Sequence, residues 1–107
     1  MTTFGSVLVE PSPLAPAGAV RVVGDFDIDL REPFIDALDA ITTKEAQRVV
    51  VDLSGVVHFD ENGLARLLAT RAETAREGLE LVIVGAPPCV RARMDIGGVT
   101  HVFNLVD

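Results

Sequence analysis

Apolar and polar positions along the chain fall into blocks whose spacing switches between two periods. Val7-Leu8-Val9 is a short apolar run that stops at Glu10-Pro11, and Ala19 to Val23 is a second that stops at Gly24. Each predicts a strand. Between them, Pro11-Ser12-Pro13-Leu14-Ala15-Pro16-Ala17-Gly18 carries three prolines. Proline excludes helix interior and central strand, so this segment predicts a stiff loop joining two adjacent antiparallel strands. From Leu30 to about Thr42 the period lengthens, with Phe34, Leu38 and Ile41 at i, i+4, i+7 and Ile35 beside them. This predicts an amphipathic helix starting near Arg31 or Glu32, with Pro33 in its first turn and Asp29 as N-cap.

Val49-Val50-Val51-Asp52-Leu53 is a β-branched run with little alternation, the pattern of a strand covered on both faces. Ser54-Gly55 interrupts it, and Val56-Val57-His58-Phe59 resumes it. Leu64, Leu67, Leu68, Arg71, Ala72 and Ala75 then mark the inner face of a second helix closed by Gly78. Leu79 to Val84 predicts another buried strand. Pro87-Pro88 opens a short helix holding Val90 and Met94 and closed by Gly97-Gly98, and Thr100 to Val106 predicts a last strand. The order β-β-α-β-α-β-α-β is that of an α/β fold: a mixed, mostly parallel sheet with helices packed on it.

A length of 107 residues allows a single domain spanning 1–107. The lone Cys89 excludes an internal disulfide and any zinc pattern. With 9 basic and 16 acidic side chains the net charge is −7, which repels phosphate backbones and anionic bilayers, so neither nucleic acid nor a membrane surface is expected as a partner. The start has no cationic segment followed by an apolar stretch, and no run approaches the ~18 residues of a spanning helix. No membrane insertion and a cytoplasmic location are expected.

Ligands and partners of open α/β sheets collect where strands end at their carboxyl side. Here those exits are acidic or tight: Gly24-Asp25-Phe26-Asp27-Ile28-Asp29, Phe59-Asp60-Glu61-Asn62-Gly63 and Gly85-Ala86-Pro87-Pro88. Asp25, Asp27, Asp29, Asp60 and Glu61 raise two readings: a Mg²⁺ or phosphoacceptor site, or carboxylates capping the starts of helices. Capping is preferred, because the only lysine, Lys44, lies at the end of the first helix and not at a late strand exit. No phosphate-cradling glycine motif follows a strand. His58 and His101 sit in apolar strand-like runs and Cys89 at a helix start, placements that suit packing better than catalysis. No enzyme is expected, and no cofactor or metal is called for.

The run Val49-Val50-Val51-Asp52-Leu53-Ser54-Gly55-Val56-Val57-His58-Phe59-Asp60-Glu61-Asn62-Gly63-Leu64-Ala65-Arg66-Leu67-Leu68 resembles the STAS domain, shared by sulfate transporters and bacterial anti-sigma factor antagonists. Gly24-Asp25-Phe26-Asp27 is similar to the family's Gly-Glu-Leu-Asp segment, Leu79 to Pro88 to the strand before its last helix, and Met94-Asp95-Ile96-Gly97-Gly98-Val99 to the end of that helix. The stand-alone length points to the antagonist branch. There the resemblance implies an Asp-Ser-Ser-Gly-Leu pattern whose first Ser is phosphorylated by a kinase that is itself the anti-sigma factor, and phosphorylation ends binding. Asp60 matches the Asp, Glu61 the phosphoacceptor, Asn62 the second Ser, and Gly63 and Leu64 themselves. Glu61 has no hydroxyl, so the usual serine switch is missing.

The resemblance therefore implies a non-enzymatic module that binds an anti-sigma factor of the serine-kinase type and regulates transcription by sigma factor release. Its binding surface would comprise Asp25, Asp27, Asp60, Glu61, Asn62, Gly63 and Arg66, and the domain could also form a weak homodimer. Glu61 carries −1 with two oxygens, against about −1.5 to −2 and three for phosphoserine. Either it fixes a phospho-like, non-binding state, or the partner pairs with it and binding is constitutive. The alternatives are a STAS subunit of a membrane lipid-transport ATPase complex and a nucleotide- or small-ligand-sensing STAS module.

Overall fold

The computed structural model describes residues 2–107. Its elements are β1 (Thr2–Phe4), β2 (Val7–Ser12), β3 (Ala15–Phe26), α1 (Arg31–Ile41), β4 (Arg48–Phe59), α2 (Glu61–Arg76), β5 (Glu80–Val84), α3 (Pro88–Ile96) and β6 (Asn104–Val106). The strands form one sheet in the order β1-β2-β3-β4-β5-β6. The first two pairings are antiparallel and the remaining three parallel. Sequential order with right-handed crossovers places all the helices on one face. The main core lies there, where Phe34, Leu67, Val90 and Met94 from the helices meet Val20, Val22, Phe26, Val51, Leu53 and Ile83 from the strands. The other face carries a small cluster of strand residues alone, Ala15, Ala19, Val50 and Val82. Val50 is buried on that side, as its β-branched run predicts, although no helix covers it.

The expected α/β order holds, with differences at its margins. An extra strand, β1, precedes the predicted set and turns into β2 through Gly5 (φ +64°) and Ser6, a two-residue hairpin. The proline segment is not a long loop, since β2 runs to Ser12 and β3 starts at Ala15. Pro11 and Pro16 are tolerated because β1 pairs no further than Val9 and β4 no earlier than Ala19, so each strand has one neighbour there. Ser54-Gly55 does not end a strand either. It sits in a register shift within a continuous β4. Thr100–Val102 is a 3-10 turn, so His101 lies outside β6 and is exposed.

The second helix is rotated from its predicted face. Gly63, Leu67, Thr70 and Thr74 are buried, Leu64 and Leu68 are half-buried, and Arg71, Ala72 and Ala75 are exposed. Threonine can occupy a core stripe because its hydroxyl finds a partner in its own helix: Thr70 Oγ1 donates to the Arg66 carbonyl at 2.8 Å and Thr74 Oγ1 to the Arg71 carbonyl at 3.0 Å. The predicted terminus stands. Gly78 (φ +74°) turns the chain, and Leu79 N donates to the Thr74 carbonyl at 2.8 Å.

A candidate protein-binding edge at two adjacent strand exits

In the parallel pair β3 and β4, Phe26 lies opposite Phe59 and Asp25 opposite His58. The chain therefore leaves two neighbouring strands at one level, and the next residue of each is an aspartate with the same task. Asp27 Oδ1 accepts from Asp29 N at 3.0 Å and caps a 3-10 turn at Ile28–Leu30. Asp60 Oδ1 accepts from Gly63 N at 3.0 Å and caps α2. Asp29, expected to cap α1, does not do so; α1 continues from the 3-10 turn, whose cap is Asp27, and its own N-cap position, Leu30, makes no side-chain bond. The preferred reading of the acids as helix caps holds for Asp27 and Asp60. Both place a carboxylate against unpaired N–H groups, where the helix dipole stabilises negative charge.

Beneath the caps, the Phe26 ring meets Phe59 edge-on at 5.6 Å and Phe34 at 5.1 Å. Aromatic pairs in such tilted geometries add about 0.5–1.5 kcal/mol beyond burial. Gly63 closes over them, so close that a Cβ would stand 2.6 Å from the Phe26 carbonyl oxygen and 2.9 Å from the Phe59 ring. Its role is to let the first turn of α2 approach the two strand ends.

Two hollows open on this edge. The smaller, about 90 Å³, is lined by Asp25, Phe26, Asp27, His58, Phe59 and Asp60. The larger, about 210 Å³, lies between the starts of α1 and α2 and is lined by Asp27, Ile28, Arg31, Asn62, Ala65 and Arg66. Asp27 belongs to both. Glu61 is the first residue of α2 and is exposed. Arg66 is held nearly out of solvent, with a side chain 12% exposed and Nη2 3.1 Å from Glu73 Oε1, while its buried Nε has no hydrogen-bond partner among the described residues. An unpaired buried N–H costs about 1–3 kcal/mol.

The structure thus brings Asp25, Asp27 and Asp60 around one hollow and Asp27, Asn62 and Arg66 around the next, with Gly63 buried; Glu61, between Asp60 and Asn62 in the chain, is exposed and lines neither. Sequence reasoning named Ile28 only as part of an acidic strand exit and missed Arg31, Ala65 and His58 as members of this edge. A signal existed for Ala65, which follows Asn62 by three residues and so shares its helix face. Lys44 lies beyond α1 in the connection to β4, and Cys89 is half-buried in α3, packed against the core. Among the described residues, no group of three His, Cys, Asp or Glu side chains is placed to hold a metal ion, and no helix is long and apolar enough to cross a membrane. The arrangement presents fixed charges and exposed aliphatic carbon on a rigid edge, means suited to binding another protein surface.

Comparison with known proteins bears on the fold and the family. None of the curated proteins matches the chain. Among solved structures, an anti-sigma factor antagonist from Mycobacterium paratuberculosis superposes with a TM-score of 0.76 at 25% identity, covering 97% of this chain and 87% of that one. A Thermotoga maritima protein described as a "putative anti-sigma factor antagonist" gives 0.75 at 13% identity over 97% and 88%. A sulfate transporter family protein from Wolinella succinogenes gives 0.66 at 15% identity over 78% and 68%. The family model described as "Mlab, STAS domain" matches residues 14–107. The chain belongs to the STAS domain family.

Proposed function

We propose that this protein is an anti-sigma factor antagonist that binds an anti-sigma factor of the serine-kinase type through the edge formed by Asp25, Asp27, Asp60, Glu61, Asn62, Gly63 and Arg66, in the cytoplasm and without catalysing a reaction of its own. The observation that carries this reading is the exposed Glu61 at the first position of α2, beside the capped exits of β3 and β4, where the antagonist pattern has its phosphoacceptor serine. The likeness to the Mycobacterium antagonist supports it. Exposed aliphatic residues flank the site: Ile28 is 65% and Ile96 82% exposed. The neighbour of Ile96, Gly97, packs toward Leu64, placing this end of α3 beside the first turns of α2. A charged rim between exposed aliphatic residues suits a regulatory protein interface.

Glu61 makes binding constitutive in this proposal. A carboxylate at the start of a helix is favoured by about 0.3–1 kcal/mol without any partner, and a facing Arg or Lys satisfies it on binding. Wild type and Glu61→Ser, each mixed with purified anti-sigma factor kinases and ATP, test it. Wild type is expected to bind and stay bound, and Glu61→Ser to bind, take up phosphate and dissociate. Binding by Glu61→Ser alone would overturn constitutive binding.

The description of the matching family model, "Mlab, STAS domain", is what supports a second reading, a STAS subunit of a membrane lipid-transport ATPase complex. Co-purification with a membrane ATPase in place of a soluble kinase would establish it.

A further inference from the structure

The hollow between the starts of α1 and α2 is lined by two cationic side chains and one acidic one. In a chain of net charge −7 with nine basic side chains, two of them, Arg31 and Arg66, line this one space of about 210 Å³. The single acid in the lining, Asp27, is engaged with Asp29 N at 3.0 Å. Arg31 is 61% exposed and, among the described residues, paired only with its neighbour Glu32, a contact that solvent screens and an incoming group can displace. Arg66 is fixed by its bond to Glu73 and its Nε is buried away from solvent, so a group entering the hollow meets the remainder of a side chain that is 12% exposed. The remaining lining is Ile28, largely exposed, with Ala65 and Asn62.

A held guanidinium beside a mobile one matches the fork of a carboxylate, and the aliphatic carbon beside it matches the stem and neighbours of a side chain that delivers that carboxylate. We propose that this hollow receives a Glu or Asp side chain of the partner protein, its carboxylate between Arg31 and Arg66 and an adjoining aliphatic residue covering Ile28. The inference rests on the reading of this edge as a protein-binding site and adds the partner's chemistry. The partner presents an acid here and bases opposite Asp25, Asp60 and Glu61. Alternating signs of this kind fix register and reject partners of uniform charge.

The test is an NMR titration of the ¹⁵N-labelled full chain with acetyl-Leu-Glu-Leu-amide, its glutamine counterpart and inorganic phosphate. The glutamate peptide is expected to shift the amides of Ile28, Arg31, Asn62 and Ala65, with roughly tenfold tighter binding than the glutamine peptide, as charge-assisted hydrogen bonds predict. Arg31→Gln and Arg66→Gln are each expected to remove most of that difference. Arg31 is exposed, so its variant keeps the test open even if Arg66→Gln does not fold. Equal binding of the two peptides, shifts elsewhere on the chain, or stronger shifts with phosphate would overturn the inference. An anti-sigma factor kinase that binds wild type and Arg31→Gln equally would overturn it while leaving the proposed function standing. If wild type binds the glutamate peptide and no kinase, the inference holds and the proposed function fails.

Discussion

Gly63 and the Phe26 carbonyl are in such close apposition that a Cβ on Gly63 would lie 2.6 Å from the oxygen. The contact is with backbone, which cannot swing away as a flexible side chain can. Gly63→Ala is therefore expected to push α2 off the ends of β3 and β4 and cost about 1–3 kcal/mol in urea denaturation. Gly78→Ala provides the contrast. At φ +74° with no atom within 4 Å, its cost is backbone strain alone, about 1–2 kcal/mol, and the site edge should keep its NMR shifts.

Asp60 caps α2 through Gly63 N. Asp60→Ala is expected to lose about 1 kcal/mol, with a fall in Tm of roughly 4–8 °C for a domain near this size. Asp60→Asn keeps an acceptor oxygen at the cap and should lose a few tenths of a kcal/mol. If the two variants melt together, Asp60 is not acting as a cap.

Glu61 is exposed, so changing it should separate stability from binding. Glu61→Ser is expected to cost no more than about 1 kcal/mol, the value of a carboxylate near a helix start. Glu61→Lys places a like charge at the dipole's positive end and should cost a similar amount of stability while abolishing binding to a kinase that contacts Glu61 with Arg or Lys. Thermal melts and calorimetric titrations of the same samples would check both.

Thr70 is 1% exposed and spends its hydroxyl on the Arg66 carbonyl of its own helix. Thr70→Val should stay within about 1 kcal/mol of wild type, because that carbonyl is also the acceptor for the helix backbone and no buried donor is left behind. A larger loss would show that the hydroxyl serves something beyond its own turn.

The parallel sheet was legible because Val49-Val50-Val51 and Leu81-Val82-Ile83 are uniform β-branched or apolar runs, which read as covered strands whatever lies on them. The helix ends were legible for a local reason too: Gly78 and Gly98, at positive φ, close α2 and α3 where the glycines predict. The buried stripe of α2 was not legible. Ala72 and Ala75 read as core, and the pattern of apolar positions passes over Thr70 and Thr74, whose burial is explained by hydroxyls bonded within the helix. The long proline loop also failed as an expectation, because the rule against strand proline depends on whether a strand has neighbours on both sides, and that is settled by the sheet.

For the candidate site, the sequence by itself determined the chemical inventory: two acidic strand exits, a glycine after Asp60-Glu61-Asn62, and a carboxylate where the antagonist pattern has a hydroxyl. Only the tertiary structure decided that Phe26 and Phe59 lie opposite each other, so that Asp27 and Asp60 leave the sheet side by side, and that Arg31 and Arg66 share a hollow with Ile28. The physical reason is range. Caps, turns and charge are properties of a few consecutive residues. The register of β3 on β4 and the approach of α2 to α1 are set by packing between segments more than thirty residues apart, about the size of one βαβ unit.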